Sequence, residues 1–278
     1  MRTIDCFPYN GEAIALFRLE YLWDVVDEFV IVEALETHTG GKKEFLYLDR
    51  NAAMLRKFES KITRLVIDRF PVPTPAQLAK LEKRSFVKDP TAWFRESYQR
   101  DFACGYLRDL ARRTPYIVLG CDSDEIPRRE MVRGMRGNYE ALAEPHKLEM
   151  ALFYYSSDWI KGSKWYQAFA LNDRGLDAHR LNDIRLDFDI KNYISNAGWH
   201  LSYFLTEEEI QRKIRSTVHI EINTEKNRAL EWIRECQRTG RDLYKRGGAE
   251  DCTRYTGKDL PENLREFETE HGLRARSA

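Results

Sequence analysis

The run Tyr116-Ile117-Val118-Leu119-Gly120-Cys121 leads directly into Asp122-Ser123-Asp124-Glu125-Ile126-Pro127, so three acids fall within four positions after an apolar stretch. Carboxylates at the carboxyl end of a buried parallel strand lie where open α/β sheets bind ligands. If the backbone stays extended there, Asp122 and Asp124 project to one side, about 7 Å apart along the chain. Hard oxygen donors of this kind suit Mg²⁺ or Mn²⁺, above all when substrate phosphates complete the shell. Ser123 between them is small and would let a diphosphate approach. The competing use of these acids is capping, with Asp124 or Glu125 closing a helix that begins near Pro127, a residue suited to a first helical turn.

The elements that must position this cluster alternate. Residues 2–7 read as a short strand, 12–23 as a helix capped near Asn10 or Gly11, and 28–35 as a nearly continuous β-branched strand covered on both faces. A polar loop at 37–43, a helix near 51–60 and a strand at 62–68 follow. Residues 69–92 hold Pro71, Pro73, Pro75 and Pro90 and form a long connection with a short helix at 76–84. Residues 91–113 read as helix, 147–157, 166–171 and 198–205 as strands, and 206–216 and 224–238 as helices, the first opened by a Thr206/Glu209 capping box. Strands alternating with helices predict an α/β fold: a mostly parallel central sheet flanked by helices, with a less regular C-terminal part.

The chain has 278 residues with 45 Lys and Arg against 45 Asp and Glu. That balance argues against a general nucleic-acid binder, while 42% hydrophobic residues suffice for a packed core. The five cysteines form no CxxC pair, which points away from a disulfide framework and toward a reducing compartment. The apolar stretch 21–35 is broken by Asp24, Asp27, Glu28 and Glu33, and no leader is read before it, so no membrane span and a cytoplasmic location are expected. Arg129, Arg133 and Arg136 share a helix face that would suit an anionic membrane surface in peripheral association, or simply solvent.

Taken in order, several blocks resemble glycosyltransferase family seventeen. They are Asp5-Cys6-Phe7-Pro8-Tyr9-Asn10, Arg18-Leu19, Phe29-Val30-Ile31-Val32-Glu33, Thr37-His38-Thr39-Gly40 with Lys43, and Trp93 with Glu96 and Arg100. The series continues through Asp122-Ser123-Asp124, Ala197-Gly198-Trp199-His200-Leu201-Ser202-Tyr203 and Lys213-Ile214-Arg215-Ser216 with His219. The resemblance covers almost the whole chain and implies a GT-A-like, Rossmann-related fold in one domain. Residues 1–126 would bind a nucleotide-sugar, 127–240 would hold acceptor and catalytic groups, and 241–278 would pack on the domain as an extension. It implies metal-dependent, inverting transfer of GlcNAc from UDP-GlcNAc to a glycan acceptor, with Mn²⁺ or Mg²⁺ at the DxD motif. Animal members carry a membrane anchor that is not read here, and Asn196 stands where relatives are expected to carry an acid.

On that resemblance the metal falls to Asp124, with Asp122 acting through water or on the ribose, and His219 completes the shell by analogy with other GT-A enzymes. Candidate bases are His200, Asp187 and Asp189, and Trp199 would stack on a sugar. Phe7, Glu33, Thr39, Lys43 and Arg100 are assigned to the donor, although Arg100 also sits four residues after Glu96 as an ordinary helical ion pair. Two alternatives remain. A sugar nucleotidyltransferase would usually carry a basic phosphate loop after the first strand, where Phe7-Pro8-Tyr9-Asn10-Gly11-Glu12 has none; the other is a carbohydrate-binding relative without catalysis.

Overall fold

The structure is a computed structural model that describes residues 1–245 and 251–273. The part of the C-terminal extension at 246–250 and 274–278 lies outside the described residues. The strands are β1 (Arg2–Pro8), β2 (Glu28–Ala34), β3 (Ile62–Ile67), β4 (Tyr116–Gly120), β5 (Glu125–Pro127), β6 (His146–Tyr154), β7 (Trp159–Trp165), β8 (Phe169–Asn172), β9 (Tyr193–Ser202) and β10 (Thr253–Arg254). They join in one sheet of order β10-β7-β6-β8-β4-β1-β2-β3, with β9 beside β6 and β5 beside β9.

The expected α/β sheet is present, and its parallel order is carried by β3-β2-β1-β4. The β-branched run of β2 is buried at every position, as a parallel strand covered on both faces requires. Alternation sorts its side chains: Phe29 and Ile31 enter the core layer that also holds Ile14, Leu19 and Trp199, while Val30 and Val32 enter the layer holding Cys104, Leu107 and Leu110. Beyond β4 the sheet turns mixed. β8 runs antiparallel to β4, β6 antiparallel to β8, and β9 parallel to β6.

Several boundaries differ from the sequence reading. The stretch 91–113 is two consecutive helices, Pro90–Asp101 and Ala103–Ala111. Asp89 caps the first by accepting from the N–H groups of Thr91 and Ala92. The Thr206/Glu209 capping box forms as expected at the helix Glu207–Ser216. The main correction concerns Pro127. Residues 125–127 are not a helix start but the short strand β5, antiparallel to β9. The following helix begins at Arg129 with no side-chain cap, so neither Asp124 nor Glu125 is a helix cap.

Gly198 permits that pairing. A Cβ at this position would lie 2.2 Å from the Ile126 carbonyl oxygen and 2.9 Å from Pro127 Cα, so β5 can approach β9 only where no side chain intervenes. Residues 251–273 lie against the same core layer as β1, through Leu264, Phe267 and Leu273. Among the described residues no helix is long and apolar enough to cross a membrane.

Candidate active site

A cleft of about 420 Å³ opens beside the carboxyl ends of β1 and β4. Its lining includes Asp122, Ser123 and Asp124, together with Glu12, Glu96, Arg100, Trp165, Arg185, His200, Lys213 and His219. The chain does not stay extended through the acids. It makes a turn closed by the Glu125 N–H donating to the Asp122 carbonyl at 3.1 Å, which still presents Asp122 and Asp124 to the same cleft.

Buried cations hold this turn from two sides. Arg18 lies in the core, where its guanidinium donates to both Asp5 carboxylate oxygens, to the Asp122 carbonyl at 3.1 Å and to the Glu125 carbonyl. Arg185 ends the helix Leu181–Arg185 and grips Glu125 with two bonds of 3.0 Å, a bidentate fork, while also meeting Asp122 Oδ2 at 2.5 Å. Glu125 accepts further from the Trp165 indole and from the Asp122 N–H at 2.6 Å. Lys147 in turn fixes the end of the helix, donating to the carbonyls of Ile184 and Arg185 at 2.7 and 2.8 Å. Burial presses the Lys147 ammonium down to about 8, and the Arg185 charge adds to this.

The two aspartates are held differently. Burial pushes the Asp122 carboxyl up, but Arg100 and Arg185 outweigh it and hold it at about 2. Arg100 reaches Asp122 Oδ1 at 2.5 Å and Glu96 at 2.9 Å, so the helical pair and the cleft contact are both real. Asp124 has Lys213 Nζ at 3.2 Å on one oxygen and His200 Nε2 at 3.5 Å on the other. Burial raises its carboxyl too, yet the Lys213 ammonium and then His200 keep it well below the usual carboxylate range. Both acids are therefore anions in a sheltered cleft. Across the lining, the acids Glu12, Glu96, Asp122 and Asp124 exceed the cations Arg100, Arg185 and Lys213 by one.

Unmet hydrogen-bonding capacity gathers here. Among the described residues seven buried side-chain polar atoms lack a hydrogen-bond partner, and five of them (Trp93 Nε1, Glu96 Oε2, Arg100 Nε, Gln167 Oε1 and His200 Nδ1) belong to residues that line the cleft. Unsatisfied buried groups are costly in a folded chain, so their concentration at one cleft marks a place shaped for a polar ligand.

Other residues assigned from the sequence lie elsewhere. Trp199 does not face the cleft. On β9 it points opposite to His200 into the core, donating its indole N–H to the Asp259 carbonyl at 3.0 Å, with the Arg128 guanidinium 4.0 Å above its ring. Phe7 is likewise a core side chain, under the Arg18 guanidinium at 4.9 Å. Glu33 is consumed structurally: it accepts from the N–H groups of Tyr47 and Leu48 at 2.7 and 2.9 Å and pairs with Lys43 at 3.5 Å, so neither lines the cleft. Thr39 sits outside it too, bonded to Thr37 at 3.0 Å, although the adjacent His38 does line it.

Asp187 and Asp189 are exposed, with the Asp189 N–H donating to Asp187 Oδ1 at 2.8 Å, and only Phe188 between them reaches the lining. His219 is at the cleft, edge-on to Trp93 at 5.4 Å, but its Nδ1 is engaged by Glu221 at 2.9 Å. Asp122, Asp124 and His219 do not converge: among the described residues no three His, Cys, Asp or Glu side chains form a group that could hold a metal. Asn196 is also remote from the cleft. It adopts the left-handed region at φ 51°, which asparagine tolerates, and accepts from Arg128 at 2.7 Å. On the basic face after β5, Arg129 pairs with Glu262 at 3.3 Å and Arg136 with Asp27 at 2.6 Å.

Arg185, Lys213 and Trp165 were given no role from the sequence, and Glu125, read there as a helix cap or one of the clustered acids, instead anchors the turn through Arg185. Lys213 carried a signal, since it opens one of the blocks that resemble the family. Arg185 carried none, because its partners Glu125 and Asp122 lie 60 and 63 positions away.

A rat β-1,4-mannosyl-glycoprotein 4-β-N-acetylglucosaminyltransferase (Rattus norvegicus) is 25% identical over 275 residues, covering 86% of this chain and 48% of the relative. The human protein of the same name (Homo sapiens) aligns with the same identity and coverage. The chain thus spans about half the length of the curated relatives it matches. Among solved structures, a 4-diphosphocytidyl-2C-methyl-D-erythritol synthase from Anaerococcus prevotii superposes with a TM-score of 0.39 at 10% identity, over 80% of this chain and 96% of that one. The description of glycosyltransferase family 17 matches residues 2–269, and the chain belongs to that family.

Proposed function

We propose that this protein is an inverting glycosyltransferase that moves GlcNAc from UDP-GlcNAc to a hydroxyl of a glycan acceptor, with Mn²⁺ or Mg²⁺ at Asp124. Family membership supports the reaction class, and the name of the mammalian relatives supports the sugar. The observation that carries the reading is the pair of anionic aspartates beside Arg100, Arg185 and Lys213 in one cleft.

The donor set fits a divalent cation in the mode that uses one or two carboxylates with substrate phosphates and water, rather than an all-protein cage. Asp124 is the direct donor in this reading. Asp122, gripped on both oxygens by guanidinium groups at 2.5 Å, more closely than Lys213 and His200 stand to Asp124 at 3.2 and 3.5 Å, acts through water, and His219 retains Nε2. When bound, the cation would neutralise the leaving diphosphate, whose charge the lining cannot balance because its acids outnumber its cations. Lys213 and Arg100 would orient the diphosphate. His200 would take the acceptor hydroxyl proton at Nδ1, which has no other partner, while Asp124 holds its Nε2 side. The acceptor oxygen bonds to the sugar anomeric carbon as the bond to UDP breaks on the opposite face, which inverts the centre.

A thermal melt tests this. UDP with Mn²⁺ should stabilise the protein by about 2.7 kcal/mol at a hundredfold excess over Kd, and Asp124→Asn should lose both that shift and turnover. No shift at saturation, or full turnover by a folded Asp124→Asn protein, defeats the reading.

A further inference from the structure

The cleft has two chemically distinct walls. One carries the acids and the three cations described above. The other is aromatic: Phe86 meets Trp93 at 5.1 Å and Phe188 at 6.5 Å, both edge to face. Trp93 and Phe86 pack with Leu186 and Val218, which also line the cleft. Phe188 is 61% exposed and, among the described residues, is the one exposed large apolar side chain that lines it. An aromatic ring left in water at the mouth of a polar cleft gains free energy when covered.

Two further observations indicate what covers it. Trp93 lines the cleft and is only 6% exposed, and its buried indole N–H has no hydrogen-bond partner. That is a donor waiting for a polar ligand. Phe188 is flanked in the chain by the exposed carboxylates of Asp187 and Asp189, with Asp187 Oδ1 already accepting from the Asp189 N–H. A nucleoside diphosphate approaching this ring meets like charge from its two neighbours, whereas a neutral sugar meets no such repulsion and offers an apolar ring face to the phenyl group.

We infer that the Phe86–Trp93–Phe188 wall is the acceptor subsite and takes a neutral pyranoside, its ring face on Phe188 and a hydroxyl group toward the Trp93 indole N–H. This rests on the glycosyl-transfer reading and leaves Asp187 and Asp189 outside the lining, where their charge disfavours an anionic ligand and neither takes the acceptor proton.

Saturation-transfer NMR with methyl β-D-mannopyranoside and methyl N-acetyl-β-D-glucosaminide tests it without turnover. The wild-type protein should bind at least one probe, with ring-face protons most strongly saturated, and Phe188→Ala should weaken that probe about tenfold. UDP with Mn²⁺ should shift the melt of Phe188→Ala by the same amount as wild type. The exposed position makes misfolding of the variant readable in the same melt. No probe binding by wild type, or undiminished binding by Phe188→Ala, overturns the inference. Weakened UDP binding in Phe188→Ala overturns it as well, by giving the wall to the nucleobase. A wild-type protein that binds pyranosides through Phe188 but never UDP would instead defeat the transferase reading alone.

Discussion

Replacing Arg185 by leucine removes the cation on which the acidic turn depends. Arg185 makes two 3.0 Å bonds to Glu125 and one of 2.5 Å to Asp122, and Glu125 is fully buried. Breaking a buried pair by deleting one partner costs about 3–5 kcal/mol, because the remaining charge is stranded. Glu125 keeps the Trp165 indole and the Asp122 N–H, and Asp122 keeps Arg100, so the lower end of that range applies, about 3 kcal/mol. At about 2–4 °C per kcal/mol for a domain of this size, the midpoint should fall by roughly 6–12 °C. Adding Glu125→Gln removes the stranded charge and should return at least about 1 kcal/mol of the loss. Thermal and urea unfolding of wild type, both single variants and the double variant complete the cycle. A loss below about 1 kcal/mol in Arg185→Leu, or a double variant less stable than Arg185→Leu, refutes the argument that a stranded buried charge governs this turn.

Gly198→Ala would force a Cβ to within 2.2 Å of a backbone oxygen that cannot swing aside. It should cost about 1–3 kcal/mol and weaken UDP binding by displacing β5. Gly105→Ala, in the helix Ala103–Ala111 with open space around it, should instead stabilise by up to about 1 kcal/mol; equal melts for the two variants contradict this. Trp199→Phe should lower the melting temperature through loss of the bond to the Asp259 carbonyl while leaving UDP affinity unchanged, and a selective loss of affinity by calorimetry would return Trp199 to the site. Lys147 has a lowered folded-state value of about 8 against 10.5 unfolded, so between these limits the unfolded chain binds more protons and stability rises with pH. Lys147→Met should lack that rise, so the wild-type minus variant stability difference should itself increase between pH 8 and 10.5, and a flat difference argues against it.

The fold was legible wherever it depends on local pattern. The β-branched run at Glu28–Ala34 announced a strand buried on both faces, and Thr206 with Glu209 announced a helix start. That Asp122 and Asp124 share one cleft was legible because a buried strand delivers them. Trp199 and His200 show a limit of a different kind. Adjacent residues on a strand face opposite sides, so both could not enter one cleft, and alternation alone could have separated them. Glu33 failed because a backbone N–H pair 14 and 15 residues later claims its carboxylate. The Pro127 boundary failed because β9, distant in sequence, draws 125–127 into a strand and overrides the local helix-start signal. Arg185 and Lys213 reach the acids from 63 and 89 positions away, contacts that no local pattern encodes.

Arg18 has a consequence for binding thermodynamics. Its side chain has no exposure, it touches no cleft surface, and it ties the carbonyls at both ends of the acidic turn to Asp5 on β1. The conformational entropy of ordering that turn is therefore lost once, when the chain folds, and not again at each encounter with ligand. A turn ordered in advance leaves more of the contact free energy available as affinity. Variation at a core arginine remote from any ligand would accordingly weaken binding while leaving the chemistry of a bound molecule intact.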